Sequence, residues 1–149
     1  MPEAEGDTHP DPEEDPMADR PDVSGTTLWH TFSVRDADAM MTWLRAVGFT
    51  EHQTHRDEED PTVVVHAEWA WPGGGGIMFG TDRDDSAISG TGPAAAYLVT
   101  ADPDAAFDAA VAAGATVIRP MVDHDYGGRG GSVTDPEGNH WSFGSYRPG

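Results

Sequence analysis

His66 and Glu68 stand two apart in the run Thr62 to Trp71, which reads as a strand, so their side chains project from one face. An imidazole beside a carboxylate can work as an acid/base pair. With His140 as a third donor, the same two residues become a two-histidine, one-carboxylate metal site. They could equally be a structural pair that caps a neighbouring loop. His140 and Ser142 repeat the two-apart spacing near the C-terminus, where Trp141 and Phe143 read as core. On the strand-like run Leu28 to Val34, the apolar Leu28, Phe32 and Val34 should meet a helix. Trp29, Thr31 and Ser33 then take the opposite face. His30 falls with the apolar set and reads as a core-edge histidine satisfied by a backbone carbonyl. Tyr126 and Arg129 flank Gly127-Gly128, in a loop able to close over a pocket. An indole at 29 and a carboxylate at 68 would suit a flat, positively charged compound. Pro72 to Gly76 resembles a phosphate loop only in its glycines, since neither a lysine nor a helix follows.

Several chemistries are excluded by composition. There is no cysteine, hence no disulfide, thiolate ligand or cysteine nucleophile. All 8 basic residues are arginine, against 27 acidic ones, for a formal net charge of -19. Nucleic-acid binding needs a basic footprint that this chain lacks. No apolar run reaches the ~18 residues of a membrane helix. The start lacks the layout of a signal peptide, so a cytoplasmic location is expected.

The elements that must carry these residues come in two copies. Asp36-Ala37-Asp38-Ala39 returns as Asp102-Pro103-Asp104-Ala105, and Gly48 and Gly114 follow each at the same distance. Both intervals read as helices, capped by the aspartates and stopped by the glycines. Met40, Trp43, Leu44 and Val47 make one apolar face; Phe107, Ala110 and Val111 make the other. A strand precedes each helix, at 28–34 and 94–100. Three follow each, at 50–56, 62–71 and 76–81, then at 116–122, 130–134 and 139–146. The pattern predicts an α+β domain over 24–149, made of unit one (27–81), a linker (82–93) and unit two (94–147). Residues 1–23 hold nine acids and one arginine with almost nothing apolar, so they read as a disordered acidic tail in which Met17 is an alternative start.

The stretch Asp135-Pro136-Glu137-Gly138-Asn139-His140-Trp141 to Pro148, with Val65-His66-Ala67-Glu68 and Asp125 to Arg129 upstream, resembles the vicinal oxygen chelate superfamily in its glyoxalase/bleomycin-resistance branch. The likeness runs from Thr27 to Pro148. It implies two βαβββ units forming a paired half-barrel cup, the glyoxalase/bleomycin resistance fold, with ligands held inside. Many members of that superfamily bind a divalent metal through the first and fourth strands of each unit. The matching positions here are Trp29, Met78, Ala95 and Ser142, which offer no imidazole or carboxylate.

The resemblance therefore implies a metal-free and cofactor-free homodimer that sequesters an antibiotic or other natural product, planar or cationic, without transforming it. Its pocket would draw on Trp29, Thr31, Ser33, His66, Glu68, Met78, Tyr126, Arg129, His140 and Ser142. The alternative is a lyase or isomerase of the same superfamily, using His66, Glu68 and His140.

Overall fold

The computed structural model describes residues 20–83, 94–125 and 127–148. Most of the expected tail and linker, and Tyr126, lie outside the described residues. From Trp29 onward the order is β1 (Trp29–Val34), α1 (Ala37–Val47), β2 (Thr50–Arg56), β3 (Val64–Ala70), β4 (Gly76–Thr81), β5 (Ala95–Val99), α2 (Pro103–Ala112), β6 (Thr116–Asp123), β7 (Arg129–Thr134) and β8 (His140–Gly144). Each helix begins where the sequence dictates. The Asp36 carboxylate accepts from the Ala39 amide at 3.1 Å, and Asp102 accepts from Ala105 at 3.1 Å. Each helix also stops at its glycine, with φ of 128° at Gly48 and 116° at Gly114. A side chain is strained in that region.

The two units are the same sheet built twice, with strand orders β1-β4-β3-β2 and β5-β8-β7-β6. β1 runs parallel to β4 and β5 parallel to β8, while the other pairs are antiparallel. This is the α+β, doubled βαβββ architecture expected from the repeat.

One hydrophobic core serves both units. It takes Val64, Ala67, Trp69, Ile77 and Phe79 from the first sheet and Leu98, Val133, Trp141 and Phe143 from the second, with α1 and α2. Trp141 is the keystone, fully buried among Phe32, Trp43 and Phe49 of the other unit at ring distances of 5.7, 5.7 and 5.6 Å. The helices touch directly, and the Trp43 indole N–H donates to the Ala110 carbonyl at 3.2 Å. The Trp71 indole N–H donates to the Val99 carbonyl at 3.0 Å. Helix-facing sides of the two sheets therefore meet, and their other, concave sides look away from each other.

The Asp135-to-Asn139 turn locks this arrangement. Asp135 accepts from the amides of Glu137 and Asn139, from the Asn139 side chain and from the Trp141 indole N–H, at 2.7 to 3.1 Å. Glu137, buried, accepts the backbone N–H groups of Arg35 and Asp36 at 3.0 and 2.8 Å. A turn in unit two thus clamps the start of the first helix in unit one.

Two face assignments made from periodicity fail, and one strand breaks its alternation. Leu28 is 82% exposed because it precedes β1 and reaches no helix. Val111 is 37% exposed because α2 buries only the narrow Phe107–Ala110 stripe. Val65 is exposed while Val64 is fully buried. The pairing of β2 with β3 shifts register between His55 and Arg56, opposite His66 and Val64, and this bulge reverses the faces before Ala67.

Candidate functional site: two concave sheet faces

Cross-strand register defines the first concave face. Thr31 stands opposite Met78, Met78 opposite Glu68 and Glu68 opposite Gln53, a row crossing all four strands. Trp29 lies one step along, opposite Gly76. A Cβ on Gly76 would collide with the six-membered ring of Trp29. The indole is therefore laid against the sheet, with its other side turned outward. Ser33 pairs with Gly80 on the same face.

Glu68 is the charged centre of this face. Its carboxylate is 2.9 Å from His66 Nε2 and 3.8 Å from His52 Nε2. The hydrogen bond from His66 holds the Glu68 carboxyl below its ordinary pKa, outweighing the partial burial that would raise it; Gln53 adds a smaller contribution of the same sign. His52 was not singled out from sequence. Strict alternation sends it to the other face from Gln53, but a register shift between Glu51 and Gln53 brings both beside Glu68. Its Nδ1 is buried without a partner among the described residues.

The second concave face carries the matching row. Tyr97 stands opposite Ser142, Ser142 opposite Ser132, and Ser132 opposite Arg119. A cavity of about 160 Å³ lies over it, lined by these residues with His124 and Val122, all of unit two. The Tyr97 hydroxyl donates to the Tyr146 carbonyl at 2.7 Å.

Trp29, Thr31, Ser33, His66, Glu68 and Met78 thus share one face. His140, paired with Ala95 and Thr134, shares the other with Ser142. One chain does not bring His140 to His66 and Glu68, because the common core separates the two faces. Arg129 belongs to neither. Its guanidinium grips Asp104 of α2 at 2.8 and 3.1 Å and Asp123 at 3.3 Å, on the helix side of β7. His30 is not satisfied by a carbonyl. It packs on Phe32 and Trp141 at 5.4 and 6.0 Å without a hydrogen bond to the described residues, and burial lowers its pKa. The divalent metal of the wider superfamily does not suit this donor set. Trp29, Met78, Ala95 and Ser142 supply at most one hydroxyl, and no trio of His, Asp or Glu is close enough to share an ion among the described residues. Nor is any described helix long and apolar enough to cross a membrane.

Paired βαβββ units, fused through their helices with a concave sheet face on each side, define the class of this protein. The family model described as Glyoxalase/Bleomycin resistance protein/Dioxygenase superfamily matches residues 26–143, and the chain belongs to that superfamily. Among solved structures it is similar to TioX from Micromonospora sp. ML1, at 28% identity and a TM-score of 0.66, covering 83% of this chain and all of that one. The PhnB protein from Bacillus cereus, at 15% identity and a TM-score of 0.58 over 79% of this chain and 98% of that one, shares the fold. Uncharacterized protein Mb0911c of Mycobacterium bovis is 42% identical over 65 residues, 44% of this chain. The match spans only 42% of that relative's length.

Proposed function

We propose that the chain is a small-molecule-binding protein of the bleomycin-resistance type that sequesters a planar, cationic natural product without metal or cofactor. The observation that carries this reading is Trp29 lying flat over Gly76, with the ionised Glu68 on the same face. Glu68 is two strands across and two residues along from Trp29, about 12 Å at ordinary strand spacing and rise. One polycyclic cation spans that gap, stacking on the indole while its charge meets the carboxylate. Each face is open among the described residues, so a second copy that brings its unit-two face against unit one would enclose the ligand. A cytoplasmic homodimer with two such sites fits both the open faces and the acidic surface.

Tryptophan-fluorescence titration against a panel of planar cationic antibiotics tests this. A binder should be recovered unchanged. Trp29→Ala should weaken it by about 1–3 kcal/mol, the scale of one aromatic stacking contact. Glu68→Gln should weaken it also. Gly76→Ala should do so without touching the ligand, by lifting the indole. No binder across the panel would remove the reading.

A second reading rests on the 2.9 Å contact between His66 and Glu68. A carboxylate that fixes one ring nitrogen of a histidine leaves the other oriented as a base. Consumption of a panel compound, stopped by His66→Ala, would replace sequestration with catalysis.

A further inference from the structure

The two concave rows correspond position by position and differ in charge. Where unit one sets Thr31, Met78, Glu68 and Gln53 across its strands, unit two sets Tyr97, Ser142, Ser132 and Arg119. The only ionic group of the first row is a carboxylate, and that of the second is a guanidinium. Acids outnumber arginines by 27 to 8 in this chain, yet not every guanidinium holds one. Arg35, Arg45, Arg56 and Arg129 all hold carboxylates. Arg119 holds none among the described residues, although it lines the concavity.

Beside it, the Ser132 and Ser142 hydroxyls are 2.7 Å apart. One hydroxyl must donate to the other, so the pair uses one hydrogen and keeps the second to offer outward. Ser132 is only 9% exposed, which fixes the pair in place. Arg119 lines the same cavity of about 160 Å³ as the two serines, so its planar fork of N–H groups and the spare O–H can meet on one oxyanion.

We infer that Arg119, Ser132 and Ser142 form a carboxylate-binding subsite on the unit-two face. The ligand class then narrows to compounds bearing a carboxylate on a small flat body. A carboxylate is favoured over phosphate because a chain of net charge -19 repels a dianion more strongly. The inference rests on the proposed function only in taking the concave faces as ligand-facing. In a closed pair of copies, this subsite would face the Glu68 row of the other chain and select a zwitterionic ligand.

Benzoate, inorganic phosphate and benzamidinium are titrated separately into the isotope-labelled full-length chain and followed by NMR. Benzoate should saturate, shifting the Arg119 Nε–H and the amides of Ser132 and Ser142. Arg119→Met should weaken it by ~tenfold, the scale of one charge-assisted contact, and Ser142→Ala by several-fold. Benzamidinium should leave these signals alone. The inference is overturned if benzoate shifts never saturate, if Arg119→Met binds as tightly as the parent, or if equal shifts appear at Arg35, Arg45 and Arg147. Tighter binding of phosphate than of benzoate overturns the choice of carboxylate. The antibiotic panel reads Trp29 and Glu68 instead, so either set of results can fail while the other stands.

Discussion

Glu68 ionises more readily than an isolated carboxylate because His66 donates to it and Gln53 and His52 stand close. Its folded pKa lies below the unfolded one. The stabilisation it gives is therefore complete above the unfolded value and disappears as pH falls through the folded value. NMR titration of the Glu68 carboxyl carbon should show a midpoint below the ordinary ~4.3, and His66→Ala should move it up. An unchanged midpoint in that variant would mean that His66 does not hold the charge. Alternation alone set Trp29 with Thr31 and Ser33, and Glu68 with His66; Met78 joined them only through the family resemblance. His52 and Arg119 were not, because both lie next to irregular pairings, where counting by two gives the wrong face. Arg129 misled for another reason. Glycines beside an arginine read as a mobile gate, but two aspartates hold that arginine against the helix side.

At the scale of elements, the Asp135-to-Asn139 turn does more than reverse the chain. Removing the Asp135 carboxylate orphans four donors at once, the indole of Trp141 among them. Asp135→Ala should therefore cost over 3 kcal/mol, above the ~1–3 kcal/mol of a single buried unsatisfied group. Glu137→Ala, which frees two amides near the surface of the unit junction, should cost about 1–3 kcal/mol. Urea unfolding measures both, and a Glu137 variant as stable as the parent would show that the clamp is dispensable. The helices, their caps and all eight strands could be read from the sequence, because the Asp-to-Gly spacing recurs and each strand is bounded by turn residues. The way the units join could not. Burying one side of each sheet leaves the same alternation whether the units meet edge to edge or through their helices, and only Trp43, Trp141 and Glu137 decide between these.

For the molecule as a whole, the decisive fact is that two unlike concave faces point away from each other. A second copy turned about a two-fold axis can set each acidic row against a basic one, and the assembly then closes at two. Sedimentation equilibrium should return twice the chain mass of 15.9 kDa, more firmly with ligand present, since a ligand held by both chains favours the pair by mass action. A monomer that still binds ligand with full affinity would show that one face suffices.

The burial of the indoles has an optical consequence. Trp43, Trp69 and Trp141 are sealed in the core, and Trp71 is half-buried with its N–H bonded to Val99. Trp29, also half-buried, is the indole that lies on a concave face, against Gly76. A compound seated there should dim a minor, redder part of the emission and spare the blue light of the sealed three. Unfolding should redden all five together. The two events carry different spectral signatures, so occupancy and denaturation can be followed in one cuvette without an attached label.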